Sequence, residues 1–316
     1  MNNFNYLMRS LMFVPAHNHR LLDSAVRRDA DVLLLDIEDS VPPCDKQIAR
    51  DSIKEFVKRE DVKGRLIFPR INDRESGELL QDLYQLTIDG VTGFMYPKAT
   101  NGEDIYFVGK LLETIEYEKK FPIGTFKLIP LIETAGAIMH IHEICTACSR
   151  VCAVSFGCED YVTDLKGKHD VEGSSIFFAR NMIVNAARAT GVIPIDTVHI
   201  RVHDLDDLER NLIIAKNLGF EGMLILNPKE LPLCHKYFSP SEEEIAWAKE
   251  MVSLAAQAQA EGAGVAVKDN KFIGPPMLKM ANHILDTHRA IESRINSTPP
   301  GFVYAVNRMY LYGLVS

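Results

Sequence analysis

The chain has 316 residues, of which 47% are hydrophobic and 25% charged, and its formal net charge is −8. These values are typical of one large globular domain or two small ones. The acidic balance argues against a general nucleic-acid binder, although local arginines and lysines can still bind a small anion. No run approaches the roughly 18 consecutive apolar residues of a membrane span. We therefore expect no nucleic-acid or membrane partner and a cytoplasmic location.

Two segments near the start and middle of the chain have alternative interpretations. The segment NYLMRSLMFVPA (5–16) resembles a short secretory signal, but Arg9 interrupts its apolar run, and we interpret it as the first strand. The cysteines Cys145, Cys148 and Cys152 suggest a metal cluster. Thiolate metal sites generally need four ligands, so we interpret these three as buried free thiols.

Eight short apolar segments alternate with segments of helical periodicity. This alternation predicts parallel strands joined by crossover helices, and the continuous apolarity predicts burial on both faces. Eight such units fit a closed (β/α)8 TIM barrel. The main alternative, a doubly wound open sheet, is disfavoured because no G-x-G-x-x-G turn follows a strand. The predicted strands are 10–16, 31–41, 65–73, 93–99, 127–134, 151–160, 195–202 and 222–228.

Polar residues stand at the carboxyl ends of nearly all the predicted strands. In such barrels these ends form the face that carries the reactive groups. Charged side chains are almost never fully buried unless paired, so we interpret the set as a polar site above an apolar core. Its members are Asp36, Glu38, Asp39, Arg70, Asn72, Lys98, Glu133, Glu159, Asp160, His199, Arg201 and Asn227.

Glu133 and Asp160, which end the fifth and sixth predicted strands, are candidate ligands of a divalent cation. Two carboxylates completed by water or substrate oxygens usually hold Mg²⁺, and no combination of His and Cys at these ends suggests zinc. Such an ion leaves coordination positions for a keto or hydroxy carboxylate, to which Arg70 could donate two parallel hydrogen bonds. The cation and Arg70 would stabilise negative charge beside a carbon–carbon bond, as in aldol or Claisen chemistry.

Other chemistries fit the sequence less well. No G-x-S-x-G, S-x-x-K or P-loop pattern is present. Paired carboxylates could serve glycoside hydrolysis, but sugar sites are usually rich in aromatics, and the one tryptophan, Trp247, lies on a C-terminal helix. Lys98 could form a Schiff base, as in class I aldolases. It follows Pro97 just past a strand, however, where pairing with acidic residues is the plainer account.

Nine segments of the chain resemble, in order, the citrate lyase beta-subunit-like branch of the HpcH/HpaI aldolase superfamily. They include FPRIN (68–72), IPLIETAGAI (129–138) and FGCEDYVTDL (156–165). The resemblance implies a TIM barrel with a C-terminal lid, a trimer or hexamer, and Mg²⁺-dependent cleavage of an acyl-CoA. We accordingly expect a catalytic barrel over 9–238, C-terminal helices and a lid over 239–292, and a tail over 293–316 that packs on a neighbouring subunit or is disordered.

The resemblance also implies roles for the acidic and basic residues of the site. Glu133 and Asp160 match the metal ligands of the family. Arg70 matches the arginine that holds the substrate carboxylate, and Asp36 and Glu38 match the acids beside it, which we take as catalytic together with Arg70.

Two loops are implied to bind the rest of the substrate. The backbone amides of Gly157, Cys158 and Glu159 match a carboxylate cradle, and His17 to Arg20 fall where relatives contact CoA. The reaction implied is loss of the hydroxyl proton of a 3-hydroxyacyl-CoA and cleavage to acetyl-CoA, through its enolate, and an α-keto acid. Among citryl-CoA, malyl-CoA and citramalyl-CoA, overall similarity favours citramalyl-CoA, which would yield pyruvate.

The sequence departs from the family pattern in its lid. The segment NKFIGPPM (270–277) has Gly274 where many relatives have an aspartate that reaches the neighbouring subunit, and Asp269 lies five residues earlier. Loss of a general acid or base costs on the order of 10² to 10⁴ in rate. The alternative is therefore a weakened homologue that binds a CoA ester or a carrier-bound substrate. The intact metal pair and Arg70 favour the enzyme.

Overall fold

The computed structural model describes residues 6–260, 266–268 and 271–297. The described residues form two compact units, the first built from residues 8–235 and the second from residues 236–260, 266–268 and 271–297 together with residues 6–7. The predicted divisions at 238 and 292 stay predictions. Residues 293–297 belong to the last helix, while the rest of the predicted tail and Asp269 lie outside the described residues.

The first unit is a closed barrel of eight parallel strands, which confirms the predicted (β/α)8 fold. Each strand pairs with the next along the chain, and the eighth pairs with the first to close the barrel. The strands are β1 (Ser10–Pro15), β2 (Val32–Asp36), β3 (Leu66–Arg70), β4 (Gly93–Tyr96), β5 (Lys127–Ile132), β6 (Ala153–Phe156), β7 (Ile193–Asp196) and β8 (Gly222–Ile225).

Helices alternate with these strands. The helices of the first unit are α1 (His19–Val26), α2 (Lys46–Phe56), α3 (Leu79–Leu86), α4 (Gly102–Lys119), α5 (Ala135–Met139), α6 (Ile141–Thr146), α7 (Cys158–Asp164), α8 (Ser174–Thr190) and α9 (Leu205–Leu218). The next helix, α10 (Leu231–Phe238), begins in the first unit and ends in the second. Every residue of β2, β4, β6, β7 and β8 is buried, as expected for strands covered on both faces.

The structure corrects the bounds of the seventh strand, which the sequence placed at 195–202. Gly191 ends α8 in the left-handed conformation, with φ 76°, and β7 then begins at Ile193. The N–H of Ile193 donates to the carbonyl of Cys152, and the carbonyl of Pro194 accepts from Glu221. Proline is tolerated here because its missing N–H falls at the start of the strand.

The sixth strand is also shorter than predicted. It ends at Phe156, and Gly157 leads directly into α7, so Glu159 and Asp160 lie in the first turn of a helix rather than on a strand. Acidic residues in a first helical turn are favoured by the helix dipole, which explains why the acids sit where the helix starts.

The second unit is built on two long helices, α11 (Glu242–Ala260) and α12 (Pro275–Ser297), with an antiparallel hairpin of β9 (Ala266–Lys268) and β10 (Lys271–Ile273). Ser241 and Glu244 form a reciprocal capping box at the start of α11, as the acid-rich first turn predicts. Buried apolar residues of this unit form a core of their own: Ala248, Met251, Ala258, Ile273, Ala281 and Ile284.

All six cysteines are free thiols, and Cys145 and Cys152 are buried while Cys148 is half-buried. In the part of the chain that the structure describes, each helix is too short or too polar to cross a bilayer.

Glu230, in the 3-10 turn after β8 (Pro228–Glu230), is a buried carboxyl group without a hydrogen-bond partner among the described residues. Burial raises its pKa from 4.5 to about 7. Because the folded pKa is the higher one, the folded state binds the proton more tightly. The resulting stabilisation is fully present below pH 4.5 and is lost as the pH rises towards 7.

We therefore expect Glu230→Gln, which cannot ionise, to gain stability relative to the wild type as the pH rises. Between pH 5 and pH 8 the difference in free energy of unfolding should grow by roughly 2 kcal/mol in favour of the variant. Urea denaturation at several pH values measures it. The exposed Glu55→Gln is the control and should follow the wild type. Parallel pH curves for Glu230→Gln and the wild type would contradict the account.

Candidate active site

Five charged residues meet at the carboxyl ends of β2 to β5. Asp36 and Arg70 are the last residues of β2 and β3 and are partners in the parallel register. Glu38 follows β2 and Lys98 follows β4 by two residues each, and Glu133 follows β5 directly. Parallel strands of a closed barrel end on one face, so their terminal side chains converge. We call these five residues the charged cluster.

Arg70 is the centre of the cluster. Its Nε and Nη2 donate to the two carboxylate oxygens of Asp36, each at 2.7 Å. Its Nη1 lies 3.0 Å from Oε2 of Glu38, and the guanidinium carbon lies 4.8 Å from the centre of the Phe13 ring. The Asp36 fork occupies one edge of the guanidinium. A substrate carboxylate would therefore meet the N–H groups that remain on Nη1 and Nη2.

The two acids beside Arg70 have opposite pKa shifts. Burial would raise the pKa of Asp36, but the bidentate bond to Arg70 outweighs it, and the pKa is lowered. Burial raises the pKa of Glu38, and the neighbouring cations Arg70 and Lys98 do not fully offset it. Acid and base roles are divided in this way in many active sites. Asp36, which stays ionised, is suited to hold Arg70 in place. Glu38 is suited to exchange a proton.

Lys98 links Glu38 to Glu133. Its backbone adopts φ 49°, a left-handed conformation that is uncommon outside glycine, and its N–H donates to Oε2 of Glu133 at 2.7 Å. Its Nζ lies 2.9 Å from Glu38 and 3.1 Å from Asp73. Burial lowers the pKa of Lys98, but these two carboxylates outweigh burial and raise it. A Schiff-base lysine needs a lowered pKa, so this environment favours the ion-pairing interpretation.

Glu133 is buried and receives a backbone N–H but no cationic side chain within bonding distance among the described residues. Burial, with the nearby negative charges of Glu38 and Asp160, raises its pKa to about 8. Gly157 makes room for it, because a Cβ at Gly157 would lie 2.5 Å from Cγ of Glu133. A carboxylate with this excess of negative charge around it fits a divalent cation, and the oxygen donors of Glu133 and Asp160 fit Mg²⁺.

Asp160 reaches the site from a helix. It is exposed in the first turn of α7, which Gly157 begins. The negative charge of Asp160 adds to the rise in the pKa of Glu133, of which burial is the largest cause. The assignment of Glu133 and Asp160 as metal ligands stays a prediction.

The predicted carboxylate cradle is partly occupied by the protein itself. The N–H of Gly157 donates to the carbonyl of Ile132 at 2.9 Å, and the N–H of Cys158 donates to Oγ1 of Thr197 at 3.1 Å. The N–H of Glu159 is one of those that a helix start leaves without an intrahelical partner. Of the three predicted amides, that of Glu159 is thus the one suited to a substrate carboxylate.

The loop after β1 carries the residues expected to contact CoA. His17 is half-buried, and its Nδ1 is a buried atom with no hydrogen-bond partner in the described part of the chain. Asn18 caps α1 because its side chain accepts from the N–H of Leu21. Arg20 is exposed in the first turn of this helix. Both residues follow β1 and so lie at the same end of the barrel as the charged cluster.

The polar residues predicted after β7 and β8 support a loop instead of joining the cluster. His199 and Arg201 lie in the loop between β7 and α9, because β7 ends at Asp196. His199 bonds to the carbonyl of Asp204 at 3.1 Å. Asn227 donates to the carbonyl of Val202 at 3.0 Å, which ties this loop to the end of β8.

Two other residues of the predicted set lie beside the cluster. Asn72 is buried and bonds to Asp82 through its N–H and its side-chain amide, at 2.8 and 2.7 Å, and it accepts from Nζ of Lys46 at 2.7 Å. It therefore anchors the loop after Arg70. Asp39 is exposed, 3.5 Å from Nη1 of Arg70.

Three residues that contact members of the predicted site were not predicted from the sequence. Asp73 shares Lys98 with Glu38, and Thr197 holds the N–H of Cys158. His169 lies 2.6 Å from Oε1 of Glu159. Asp73 could have been noticed, since it ends the predicted third strand. Thr197 was not predicted because the sequence placed it inside the seventh strand, whereas it directly follows β7 in the structure. His169 lies in a loop that does not directly follow a strand.

A barrel with a half-buried arginine and several carboxylates at the carboxyl ends of its strands is typical of enzymes that act on anionic substrates. The chain belongs to the HpcH/HpaI aldolase/citrate lyase family, whose model matches residues 9–228. This confirms the resemblance found in the sequence.

Individual relatives align over nearly the whole chain. Citrate lyase subunit beta of Haemophilus influenzae is 30% identical, over 89% of this chain and 96% of that protein. Mitochondrial citramalyl-CoA lyase of Rattus norvegicus is 27% identical, over 93% and 90%. The crystal structure of CitE from Mycobacterium tuberculosis in complex with magnesium, acetoacetate and coenzyme A is 25% identical, with a TM-score of 0.69, over 89% and 98%.

Gly157→Ala tests the packing at the proposed metal ligand. The added methyl group would overlap Glu133, and a displacement of about 1 Å at a reacting site can cost on the order of 10² in rate. We expect at least a tenfold loss of lyase activity and a higher Mg²⁺ requirement, with unchanged circular dichroism. Gly136→Ala is the control, since the nearest neighbour of its Cβ would be Oγ1 of Thr134 at 3.9 Å. Full activity of Gly157→Ala would contradict the geometry.

Proposed function

We propose that this protein cleaves a 3-hydroxyacyl-CoA to acetyl-CoA and an α-keto acid, with citramalyl-CoA as the favoured substrate and pyruvate as its keto-acid product. At the level of the family, the chain is a Mg²⁺-dependent carbon–carbon lyase of CoA esters. The observation that carries the proposal is Glu133, a buried carboxylate set among other acids beside an arginine held for carboxylate binding.

Glu133 and Asp160 would hold Mg²⁺, which when bound supplies Lewis-acid stabilisation of negative charge on a substrate oxygen. The N–H groups of Arg70 that Asp36 does not bond would bind the carboxylate of the keto-acid half, and Asp36 keeps the guanidinium in place through its two bonds. The N–H of Glu159 would add a donor on the other side. These contacts orient the hydroxyl-bearing carbon towards Glu38.

Glu38 would accept the hydroxyl proton. Its pKa is raised by burial, so it is a stronger base than an exposed carboxylate. As the hydroxyl oxygen becomes a carbonyl, the carbon–carbon bond breaks and its electron pair passes to the thioester half as an enolate. That enolate takes up one proton to give acetyl-CoA. His17 and Arg20 would meet the CoA portion.

The lid bears on how the enolate is protonated. Gly274 directly precedes α12, and its carbonyl accepts from the N–H of Met277 and Leu278. It has no side chain to deliver a proton, so another group or water must do so. This absence supports the second candidate, a homologue that binds a CoA ester or a carrier-bound substrate with weak catalysis. Because other relatives are named citrate lyase subunit beta and L-malyl-CoA/beta-methylmalyl-CoA lyase, citryl-CoA and malyl-CoA are the alternative substrates. We also propose that the protein assembles as a homotrimer or a hexamer.

A coupled assay of α-keto acid release tests the proposal. With Mg²⁺, the purified protein is incubated with citramalyl-CoA, malyl-CoA and citryl-CoA, and we expect EDTA-sensitive cleavage that is fastest with citramalyl-CoA. Glu133→Gln and Asp160→Asn should each lose at least about 10² in rate, because each removes a proposed ligand.

The exposed acid Glu60, which precedes β3 at the opposite end of the barrel, provides the control Glu60→Gln, expected to keep full activity. Faster cleavage of malyl-CoA or citryl-CoA would reassign the substrate. Unchanged rates in both ligand variants would refute the site. No cleavage of any of the three esters would favour the binding homologue.

A further inference from the structure

Three side chains of different donor type meet beside α7. They are the thiol of Cys158, the carboxylate of Glu159 and the imidazole of His169, and one ligand atom from each lies within 4.8 Å of the other two. Nε2 of His169 is 2.6 Å from Oε1 of Glu159, and Sγ of Cys158 is 3.8 Å from the same oxygen. We call these residues the thiol–imidazole cluster.

We propose that the thiol–imidazole cluster is a second metal site, which binds a transition-metal ion of the Zn²⁺ type and is distinct from the Mg²⁺ site of the proposed function. Thiolate and imidazole are ligands that Zn²⁺ accepts and Mg²⁺ avoids, so the two sites select different ions. Three protein ligands and a water molecule are a common zinc coordination set. This inference does not rest on the proposed lyase activity.

The cluster is partly fixed by the fold. Cys158 is buried at the first position of α7, and its N–H is held by Thr197, so its Sγ has a defined position. His169 lies in the loop before α8, where Asp170 accepts from the N–H of Ser174, the first residue of that helix. Glu159 is more exposed than the other two, with 58% of its side chain accessible, and can adjust to an ion.

There is room for an ion and its water beside the cluster. Cys158 and His169 line one cavity of about 60 Å³, together with Asp196, Thr197 and His199. A water molecule occupies about 30 Å³ in the liquid. The cavity therefore has space for at least one water molecule beside Cys158 and His169.

Binding requires a small rearrangement. Metal–ligand bonds of about 2.0 to 2.3 Å at a tetrahedral ion place the ligand atoms roughly 3.5 Å apart. The His169–Glu159 hydrogen bond must therefore open by about 1 Å, which these partly exposed side chains allow. The ion takes the place of the thiol proton, which passes to solvent, and of that hydrogen bond. The thiolate and carboxylate then balance its two positive charges.

Co²⁺ titration of the full-length protein in excess Mg²⁺ tests the proposal, because a thiolate bound to Co²⁺ absorbs in the near ultraviolet. We expect a thiolate–Co²⁺ band that saturates at one ion per chain and disappears on addition of Zn²⁺. Cys158→Ser should abolish the band. His169→Gln, in an exposed loop, should weaken Co²⁺ binding at least about tenfold, which corresponds to about 1.4 kcal/mol.

Matched controls lie outside the cluster. Cys44→Ser changes an exposed cysteine and His203→Gln an exposed loop histidine, and both should keep the band. Glu133→Gln should keep it as well, because the two metal sites are distinct. The absence of a band in the wild type at about 100 μM Co²⁺, its persistence in Cys158→Ser, or its loss in Glu133→Gln would each overturn the proposal. None of these results depends on lyase activity.

Discussion

The site depends on the ion pair between Arg70 and Asp36. The two residues end neighbouring strands in register, so the barrel itself sets their distance. Burying either charge alone would cost several kcal/mol, and removing one partner of a buried pair typically destabilises a protein by about 3 to 5 kcal/mol. The pair thus fixes the guanidinium at the carboxyl end of the barrel, with Asp36 on one edge and Glu38 and Asp39 near Nη1.

The electrostatic environment of each acid in the site depends on whether it pairs with Arg70 or with Lys98. Asp36 takes one edge of Arg70, while Glu38 and Asp73 share Lys98. Glu133 is left with a backbone N–H, and burial, with the negative charges of Glu38 and Asp160, raises its pKa to about 8. A divalent cation supplies the positive charge that this arrangement lacks. The acids are thus not redundant, because each has a different electrostatic environment and can do different work.

The sequence was sufficient for the barrel and for much of this cluster. Continuous apolar strands with charged ends can be recognised without coordinates, because each strand must bury both faces while its end must not. The predicted bounds of the seventh strand were wrong because apolar residues continue to alternate with polar ones after Asp196, although the structure places them in a loop. The positive φ of Lys98, its backbone bond to Glu133 and the close approach of Gly157 leave no mark in the sequence. They depend on contacts between strands that are far apart in the chain.

The central claim is that Glu133 is a buried carboxyl group that ionises when it binds a divalent cation. Proton release on metal binding tests this claim most directly. Isothermal titration with Mg²⁺ at pH 7, in two buffers of different ionisation enthalpy, counts the protons. Since the pKa of Glu133 is about 8, we predict release of about one proton per bound ion in the wild type and almost none in Glu133→Gln. Tight binding without proton release, or equal release by the variant, would contradict the account.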